Sequence, residues 1–437
     1  MNKKLIASAI GMLLAANGAF AQSASNNSVE LYGIIDLGVG HVENSLSTDG
    51  NFPASVNPVS ATKTSINNGV TGMFNGGISD SRWGIRGTED LGGGMKAFFT
   101  LESGFDATDG ALNNGTAALA NNSPKASTVS ANTSLDGQLF NRQAFVGISA
   151  GEIGSIALGR NYAPFYDIAV AYDPVQNAQL FSPLGFSGTI GGGGGVSEDT
   201  RVDNSIKYKN TIGGVNFGAL YKFGGVSGSS SAESGYTFNV GYEAGPFGIQ
   251  AAYENFTDAL KTGNSTVAGD ISVTDYNTDA FMIAAKYSFG EATIRAGFEE
   301  YTLKAPSDSV AALGITSLYG YTIGNSTTFA QANQTTDVWW IGGDFNFTPS
   351  LNLALGFYDQ NPKQSDDYVA SATSSLPKVG QADGNIYSYS ALLDYHFTKR
   401  TDVYSGLMYS QYKGDNYPSS VYNSSNYIFA IGLRTKF

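Results

Sequence analysis

The chain has 437 residues, no cysteine, only 14% charged residues and a formal net charge of −13. The lack of cysteine excludes disulfides and thiolate zinc sites, and the acidic balance disfavours nucleic acid as a partner because like charges repel. A charged fraction well below the ~25% of soluble proteins, together with 55 glycines and 12% aromatic residues, favours extended all-β structure over disorder.

The first element in the chain is a secretory signal peptide, predicted over residues 1–21. A basic start (MNKK) precedes an apolar core (LIASAIGMLLAANGAF), and Ala19 and Ala21 place small residues before the cleavage point. We expect the mature chain to begin at Gln22, and loss of the two lysines in the peptide changes the formal charge to −15 (−13 − 2). A retained anchor helix is the alternative, which this pattern disfavours.

Strand-like segments with alternating apolar and polar residues recur through the rest of the chain. The sixteen predicted segments are 29–44, 79–90, 95–107, 140–150, 154–160, 203–210, 215–225, 236–244, 247–258, 279–289, 291–303, 337–348, 351–362, 386–398, 401–414 and 426–437. Short turns and long loops alternate between them, which is typical of outer-membrane barrels. The pattern predicts one all-β domain, residues 22–437. It is a 16-stranded antiparallel transmembrane β-barrel with short periplasmic turns and long extracellular loops.

The two faces of these strands differ in chemistry. In residues 292–299 the apolar side chains share one parity and the charged ones share the other, which fits a wall with lipid outside and water inside. A soluble sandwich gives the same alternation, and the signal peptide and connection lengths decide for the barrel. Aromatic residues beside three short turns, at 287–290, 345–349 and 395–398, predict an interfacial girdle.

Four long stretches carry a family resemblance: VELYGIIDLGVGH (29–41), SRWGIRGTEDLGGGMKAFFTLESGF (81–105), FNRQAFVGISAGEIGSIALGRNYAP (140–164) and IFAIGLRTKF (428–437). The chain resembles the general diffusion porins of Gram-negative bacteria, in their neisserial and burkholderial branch. The resemblance implies a homotrimer of sixteen-stranded barrels, each with its own water-filled pore. It also implies that Phe437 and its alternating partners form the signal that the barrel-assembly machinery reads.

A sixteen-stranded wall encloses a lumen too wide for its own side chains to fill. The resemblance implies that the third long loop (loop 3, about residues 161–202) folds inward and narrows this lumen. Its middle is apolar, which suits packing against the inner wall, and its five-glycine run at 191–195 departs from the family pattern. The acidic residues expected at the constriction are Asp167, Asp173, Glu198 and Asp199.

Basic residues at inward-facing positions are predicted to line the opposite wall, although each is also suited to a rim position or to pairing with a carboxylate. By parity they are Arg82, Arg86, Lys96, Arg142, Lys207, Lys209, Arg295 and Arg434, with Tyr32 and Asp36 as further lumen-wall residues. Facing acidic and basic sides set a transverse field and bias which ions enter. Since salt screens charges beyond about 8 Å, the basic wall outweighs distant acidic loops and slightly favours anions.

An enzymatic barrel needs a histidine paired with a carboxylate or a serine, and the chain has two histidines. His41 lies in no recognisable motif. His396 shares its inward face with Asp394, but this i, i+2 spacing is more typical of a wall histidine than of a catalytic dyad. The glycine run of loop 3 lacks the GK[ST] of a phosphate-binding loop.

Two acidic loop pairs, Asp106 with Asp109 and Asp366 with Asp367, could bind a divalent cation or bridge lipopolysaccharide through one. Solvated loop carboxylates are the favoured interpretation, because calcium needs six to eight oxygens at fixed positions. The sequence therefore predicts a passive, non-enzymatic outer-membrane porin without cofactor or metal. Its expected partners are two further copies of the chain, outer-membrane lipid and lipopolysaccharide, the barrel-assembly machinery, and small hydrophilic solutes and ions. The alternatives are a surface adhesin that uses the long loops and a substrate-selective channel, for which inward-facing Trp340 and Phe98 hint at sugars.

Overall fold

The computed structural model describes residues 27–43, 70–110, 112, 139–184, 201–264, 271–306, 316–318, 321–328, 333–363, 385–413 and 425–437. The predicted signal peptide lies outside these residues. Within them, no α-helix is both long enough and apolar enough to cross a membrane.

The strands in chain order are β1 (Ser28–Glu43), β2 (Val70–Asn75), β3 (Arg82–Gly92), β4 (Met95–Gly104), β5 (Gln143–Ala150), β6 (Ser155–Tyr162), β7 (Arg201–Ile212), β8 (Val215–Lys222), β9 (Gly235–Ala244), β10 (Phe247–Asn264), β11 (Ile271–Phe289), β12 (Ala292–Lys304), β13 (Ser317–Leu318), β14 (Tyr321–Thr328), β15 (Gln334–Thr348), β16 (Leu351–Pro362), β17 (Ile386–His396), β18 (Thr401–Tyr412) and β19 (Ser425–Lys436). One α-helix, α1 (Pro164–Tyr172), follows β6, and a 3₁₀ turn, Gly151–Ile153, joins β5 to β6.

Sixteen of these strands form one closed antiparallel wall, and β2, β13 and β14 are additions to it. Each wall strand pairs with the next along the chain. The last strand closes the barrel on the first, with Lys436 opposite Ile34 and Tyr427 opposite Glu43. The predicted 16-stranded antiparallel barrel is confirmed.

The outward face of the wall is apolar. In β19, Phe429, Ile431 and Leu433 are 43%, 50% and 52% exposed, whereas Ile428 and Ala430 beside them face inward and are fully buried. Successive side chains of a strand point to opposite faces, so the alternation in sequence becomes an oily exterior. Such an exterior is stable against hydrocarbon and unfavourable in water.

Aromatic pairs lie on this outward face beside the short turns, where the girdle is predicted. All six side chains are 44–62% exposed. Their ring centroids lie 6.3, 5.0 and 5.2 Å apart in the pairs Tyr287–Phe289, Phe345–Phe347 and Tyr395–Phe397. Amphipathic rings at this level suit the headgroup region of a bilayer.

The long loop predicted over 259–278 is mostly strand. The β10–β11 ladder continues to Asn264 and Ile271, with a register shift between Phe256 and Ala259, and β14 adds a parallel pairing to the start of β11. Backbone N–H and C=O groups pair whatever side chains they carry. The polar side chains of this segment therefore do not prevent it from forming a hydrogen-bonded pair of strands.

β2 and β3 both pair with β1, and the chain leaves the wall between them. β2 pairs with residues 37–42 of β1, and β3 pairs with residues 28–34. Residues 76–81 between them (the inward segment) leave the wall and close around Asp36. The Asp36 carboxylate accepts hydrogen bonds from the backbone N–H groups of Ile78 and Ser79, at 3.0 and 2.8 Å.

Candidate pore constriction

Loop 3 runs along the inner face of the barrel over its described part, residues 161–184. Helix α1 opens with Pro164, which suits the first helical position because no helical partner is needed for its missing N–H. The buried face of the helix includes Phe165, Ile168 and Tyr172, and these pack against inward-facing side chains of β8, β10, β11 and β15. The loop thus folds inward here, as the resemblance implies.

The turn after α1 is anchored to the wall by hydrogen bonds. The indole N–H of Trp340 donates to the Tyr172 carbonyl at 3.0 Å. The Asp173 carboxylate accepts hydrogen bonds from the Tyr358 hydroxyl and the Asn177 backbone N–H, each at 2.5 Å. Burial raises the pKa of Asp173 to about 6. Because Asp173 is fully buried, the prediction that it lines the constriction is wrong, and it fastens the loop instead.

The next part of the loop packs where the two ends of the barrel meet. Val175, Leu180 and Phe181 are buried in a cluster with Tyr404 and other residues of β2 and β16–β19. The Leu180 N–H donates to the carbonyl of Gly77 in the inward segment at 3.0 Å. Among the described residues, neither buried apolar cluster includes a residue of β3–β6. The wall from β3 to β6 is therefore the side that these clusters leave uncovered; together with β7, which contacts α1, it is called the basic arc.

Arg142 is the centre of a charged network on the basic arc. Its Nη1 lies 2.6 Å from Asp80 Oδ2 and its Nε lies 2.8 Å from Glu102 Oε1. Its Nη2 donates to the Tyr162 hydroxyl at 2.7 Å. Charge-assisted hydrogen bonds of this kind fix a guanidinium in one orientation. The network therefore fixes a largely buried guanidinium in the basic arc.

Two more arginines contact the same carboxylates. Arg82 Nε lies 3.5 Å from Glu102 Oε2, and Arg201 Nη2 lies 3.6 Å from Asp80 Oδ2. Arg82 and Arg142 thus contact the same carboxylate, Glu102, and the Arg142 side chain, predicted to line the pore, is largely buried among its partners. Arg201 and Asp80 are missing from the prediction. Parity could have found Asp80, which shares the parity of Arg82 within the predicted strand 79–90, whereas Arg201 lies in the predicted loop 3, before the predicted strand 203–210.

Arg160 is a basic residue that strand parity leaves out of the predicted lumen-facing set. It lies two residues after Leu158, which faces outward and is 49% exposed, so strict alternation places Arg160 outward as well. The β6–β7 ladder shifts register beside this residue, between Gly159 and Asn161. Arg160 is only 6% exposed, and its Nη1 lies 2.6 Å from Asp203 Oδ1.

One acid and two amines join α1 to the basic arc. Asp167 Oδ2 lies 2.9 Å from the Nζ atoms of both Lys207 and Lys209. Burial alone raises the pKa of Asp167, but the two ammonium groups outweigh burial and hold this pKa below its usual value. Asp167 is therefore ionised at neutral pH. The cluster carries a net charge of +1 (two positive charges and one negative), and the Lys209 side chain is 55% exposed.

The remaining predicted residues of the basic arc lie nearer the β3–β4 turn. Arg86 Nη2 lies 2.8 Å from Glu30 Oε2, and its guanidinium carbon lies 4.9 Å from the centre of the Tyr32 ring. The Tyr32 hydroxyl donates to Glu102 at 2.9 Å. Lys96 is exposed, and no salt bridge to it occurs within the described residues. Arg86 and Lys96 both line a cavity of about 460 Å³.

Three other predicted residues lie away from the basic arc. Arg295 binds Asp344, and Arg434 Nε lies 3.0 Å from Asp402 Oδ2, so both are largely buried partners of wall carboxylates. Asp36 is fully buried beneath the inward segment. The prediction that Asp36 lines the pore is therefore wrong, although it does lie on the inward face.

Other sequence predictions have mixed outcomes. Asp106 accepts hydrogen bonds from the backbone N–H and hydroxyl of Thr108, at 2.8 and 2.7 Å, which is a turn-capping role. Trp340 is buried under loop 3, so it does not form part of an aromatic track for sugars on the lumen wall. The positions outside the described residues are Glu198, Asp199, Asp366, Asp367 and the glycine run 191–195.

The end of the last wall strand is seated on the first. Phe437 and Gly33 exchange both backbone hydrogen bonds, each at 3.0 Å. A Cβ atom placed on Gly33 would lie 2.3 Å from Cζ of the Phe437 ring. The ring therefore occupies the space that a side chain at position 33 would fill, and it remains 49% exposed on the outward face.

The chain matches the model of the Gram-negative porin family over residues 7–415. It belongs to this family. The porin is 31% identical over 289 residues to an outer membrane porin protein of Bordetella pertussis, in a match that covers 63% of each chain. It is 29% identical over 298 residues to outer membrane porin protein 32 of Delftia acidovorans, with 67% of this chain and 68% of the relative covered.

A solved structure has the same fold as the porin. It is an anion-selective porin from Comamonas acidovorans, with a TM-score of 0.62 and 20% identity over 94% of this chain and 100% of that chain. Family membership, the apolar exterior and the closed barrel place the protein in the outer membrane of a Gram-negative bacterium.

Proposed function

We propose that this porin is a passive, non-enzymatic channel through which small hydrophilic solutes and ions diffuse across the outer membrane. The observation that carries the proposal is the exposure of charged side chains inside a closed barrel. Arg86, Lys96 and Lys209 are all exposed on the basic arc, and ionised groups are strongly unfavourable without water. Their exposure supports a continuous column of water in the lumen.

Loop 3 supports a pore of restricted width. Its buried anchors at Trp340, Tyr358 and Gly77 hold the described part of the loop against the wall. The space between α1 and strands β3–β6 then remains for solutes.

Conductance across a planar lipid bilayer tests this function. Purified, refolded protein is expected to insert stepwise and to give an ohmic current. A variant lacking residues 165–198 is expected to show larger steps, because the loop that narrows the lumen is gone. Folded protein that inserts without any conductance would reject the proposal. A loop deletion that leaves the conductance unchanged would reject the role of the loop.

We also propose that the channel weakly prefers anions. The cluster of Asp167, Lys207 and Lys209 has a net positive charge at the inner surface, and exposed Lys96 adds to it. The solved Comamonas porin is described as anion-selective, but at 20% identity that likeness concerns the fold, so the preference rests on these charges. A tenfold KCl gradient gives the test, since a reversal potential of the sign set by K⁺ would reject the preference.

Homotrimer formation and recognition of Phe437 by the barrel-assembly machinery are part of the same proposal, and lipopolysaccharide is its expected lipid contact. Chemical cross-linking in detergent is expected to stop at three chains, and each bilayer insertion should add three equal conductance levels. Cross-linked products that stop at one chain would reject the trimer. Replacement of Phe437 by alanine is expected to lower the amount of assembled barrel in cells. The same replacement should have a smaller effect on the yield of refolding in detergent, where the assembly machinery is absent.

A further inference from the structure

A group of three potential metal ligands lies on the lumen wall, away from the basic arc. Asp394, His396 and Asp402 each place one ligand atom within 4.8 Å of the other two. β17 and β18 pair across a short turn with His396 directly opposite Asp402, and Asp394 lies two residues earlier on the same inward face. The strand register therefore builds the group without help from any loop.

The two carboxylates of this group are buried and the imidazole is accessible. Asp394 is 9% exposed and Asp402 is 1% exposed, while the His396 side chain is 37% exposed. The Oδ1 atom of Asp394 is buried and has no hydrogen-bond partner within the described residues. A buried carboxylate oxygen without a partner is unfavourable, and a bound cation would satisfy it.

Arg434 and Lys436 are the basic side chains that face the group from β19. Arg434 Nε donates to both oxygens of Asp402, at 3.2 and 3.0 Å, but its Nη2 lies 3.6 Å from Asp394 Oδ2. The guanidinium thus holds the Asp402 carboxylate by hydrogen bonds and makes only a longer contact with the Asp394 carboxylate. Donors behind a ligand hold metal-binding carboxylates in place in just this manner.

We propose that Asp394, His396 and Asp402 bind a divalent transition-metal ion, with Zn²⁺ as the best match to the ligands. Imidazole nitrogen and carboxylate oxygen bind zinc at ~2.0–2.2 Å, so ligand atoms in a tetrahedral site lie about 3.4 Å apart. In the structure Nε2 of His396 lies 3.6 Å from Asp394 Oδ2 and Nδ1 lies 3.8 Å from Asp402 Oδ1, so the two carboxylates face different nitrogens of the ring. Because one nitrogen binds the ion, the side chains must rotate to bring three ligand atoms that are now within 4.8 Å of one another to the tetrahedral spacing.

Three protein ligands leave a fourth position, which the accessible side of His396 opens to the lumen. This arrangement is that of exchangeable zinc sites rather than closed structural ones. Calcium is a poor match because it needs six to eight oxygens. A bound Zn²⁺ ion would add two positive charges to the lumen wall and move the reversal potential towards that of Cl⁻.

Isothermal titration of trimers in detergent, freed of metal with a chelator and titrated with ZnCl₂, tests the site directly. We expect one Zn²⁺ ion per chain. His396→Asn is expected to weaken binding by at least ~10–100-fold, the loss typical even for residues behind the ligands. The matched control is His41→Asn, which removes the other histidine of the chain. His41 lies on the outward face and contacts Glu43 and Thr71, so its removal should leave zinc binding unchanged.

Asp394→Asn is a second variant that keeps the shape of the wall, and it is also expected to weaken binding. Circular dichroism and trimer migration show which variants have folded. The proposal is overturned if wild-type protein takes up no Zn²⁺, if zinc binding survives His396→Asn, or if Ca²⁺ competes equally with Zn²⁺. Binding is measured without a bilayer, so a failure of the channel proposal leaves this test intact.

Discussion

The charge cluster that joins loop 3 to the basic arc allows the proposed ion preference to be changed in both directions. Asp167→Asn removes the carboxylate between Lys207 and Lys209 and raises the net charge of the cluster from +1 to +2. Lys209→Met removes the more exposed amine and lowers the net charge to zero. The first variant is expected to increase the preference for anions and the second to decrease it.

The size of the effect follows from Coulomb's law. For an ion that passes about 5 Å from the cluster, one unit charge in water changes its energy by ~0.8 kcal/mol, and screening at 0.1 M salt reduces this to about 0.5 kcal/mol. The local concentrations of anion and cation then change roughly twofold in opposite directions. The ratio of anion to cation permeability is therefore expected to change about fivefold, upward for one variant and downward for the other.

Reversal potentials in a tenfold KCl gradient measure this ratio. Asp106→Asn removes the same charge from a turn outside α1 and the wall strands, and it serves as the control with no expected shift. If Asp167→Asn and Lys209→Met shift the potential in the same direction, or no more than Asp106→Asn does, the cluster does not control selectivity.

Three further predictions concern the seating of loop 3 and the closure of the barrel. Phe181→Ala removes a fully buried ring and should weaken docking of the loop by about 3–5 kcal/mol. The expected results are faster hydrogen exchange at residues 178–184 and a larger conductance. The lipid-facing variant Phe429→Ala is the control. Asp173 has a pKa of about 6 when docked and 3.8 as its ordinary value, so docking takes up a proton. Docking should be strongest below about pH 4 and weaken by up to ~3 kcal/mol as pH rises through 6. Exchange rates corrected for intrinsic pH dependence should show this trend in wild type but not in Asp173→Asn, and a trend that persists in the variant has another cause. Gly33→Leu fills the space of the Phe437 ring and should cost about 1–3 kcal/mol, seen as a lower yield of refolded trimer, whereas an unchanged yield would show that the ring has room to move.

The wall and its two faces were predictable because lipid imposes a simple rule on each strand. A period of two residues places Phe429, Ile431 and Leu433 on one face, and the same rule locates the aromatic pairs beside the turns. The parity of Arg82 and Arg142 was likewise sufficient to place both on the inward face. These features depend on local sequence alone.

The two-residue alternation does not predict the roles of residues whose partners lie far away along the chain. Asp173 looked like a constriction residue, but its hydroxyl donor, Tyr358, is 185 residues away along the chain. Asp36 is covered by a segment that begins 40 residues later, at Gly76. Arg160 was missed because its ion-pair partner, Asp203, is 43 residues away along the chain.

The contacts around Asp36 also bear on the stage of folding at which the pore constriction can form. The hydroxyl of Tyr404 donates to Asp36 from a position 368 residues later, and Arg434 Nη1 donates to Ser79 Oγ across 355 residues. The seat for the tip of loop 3 thus combines the earliest and latest parts of the chain, whose encounter has the largest loop-closure entropy to overcome. We therefore expect narrowing of the pore to be a late step of folding, because the surface that receives residues 178–184 is complete only after the first and last strands have paired.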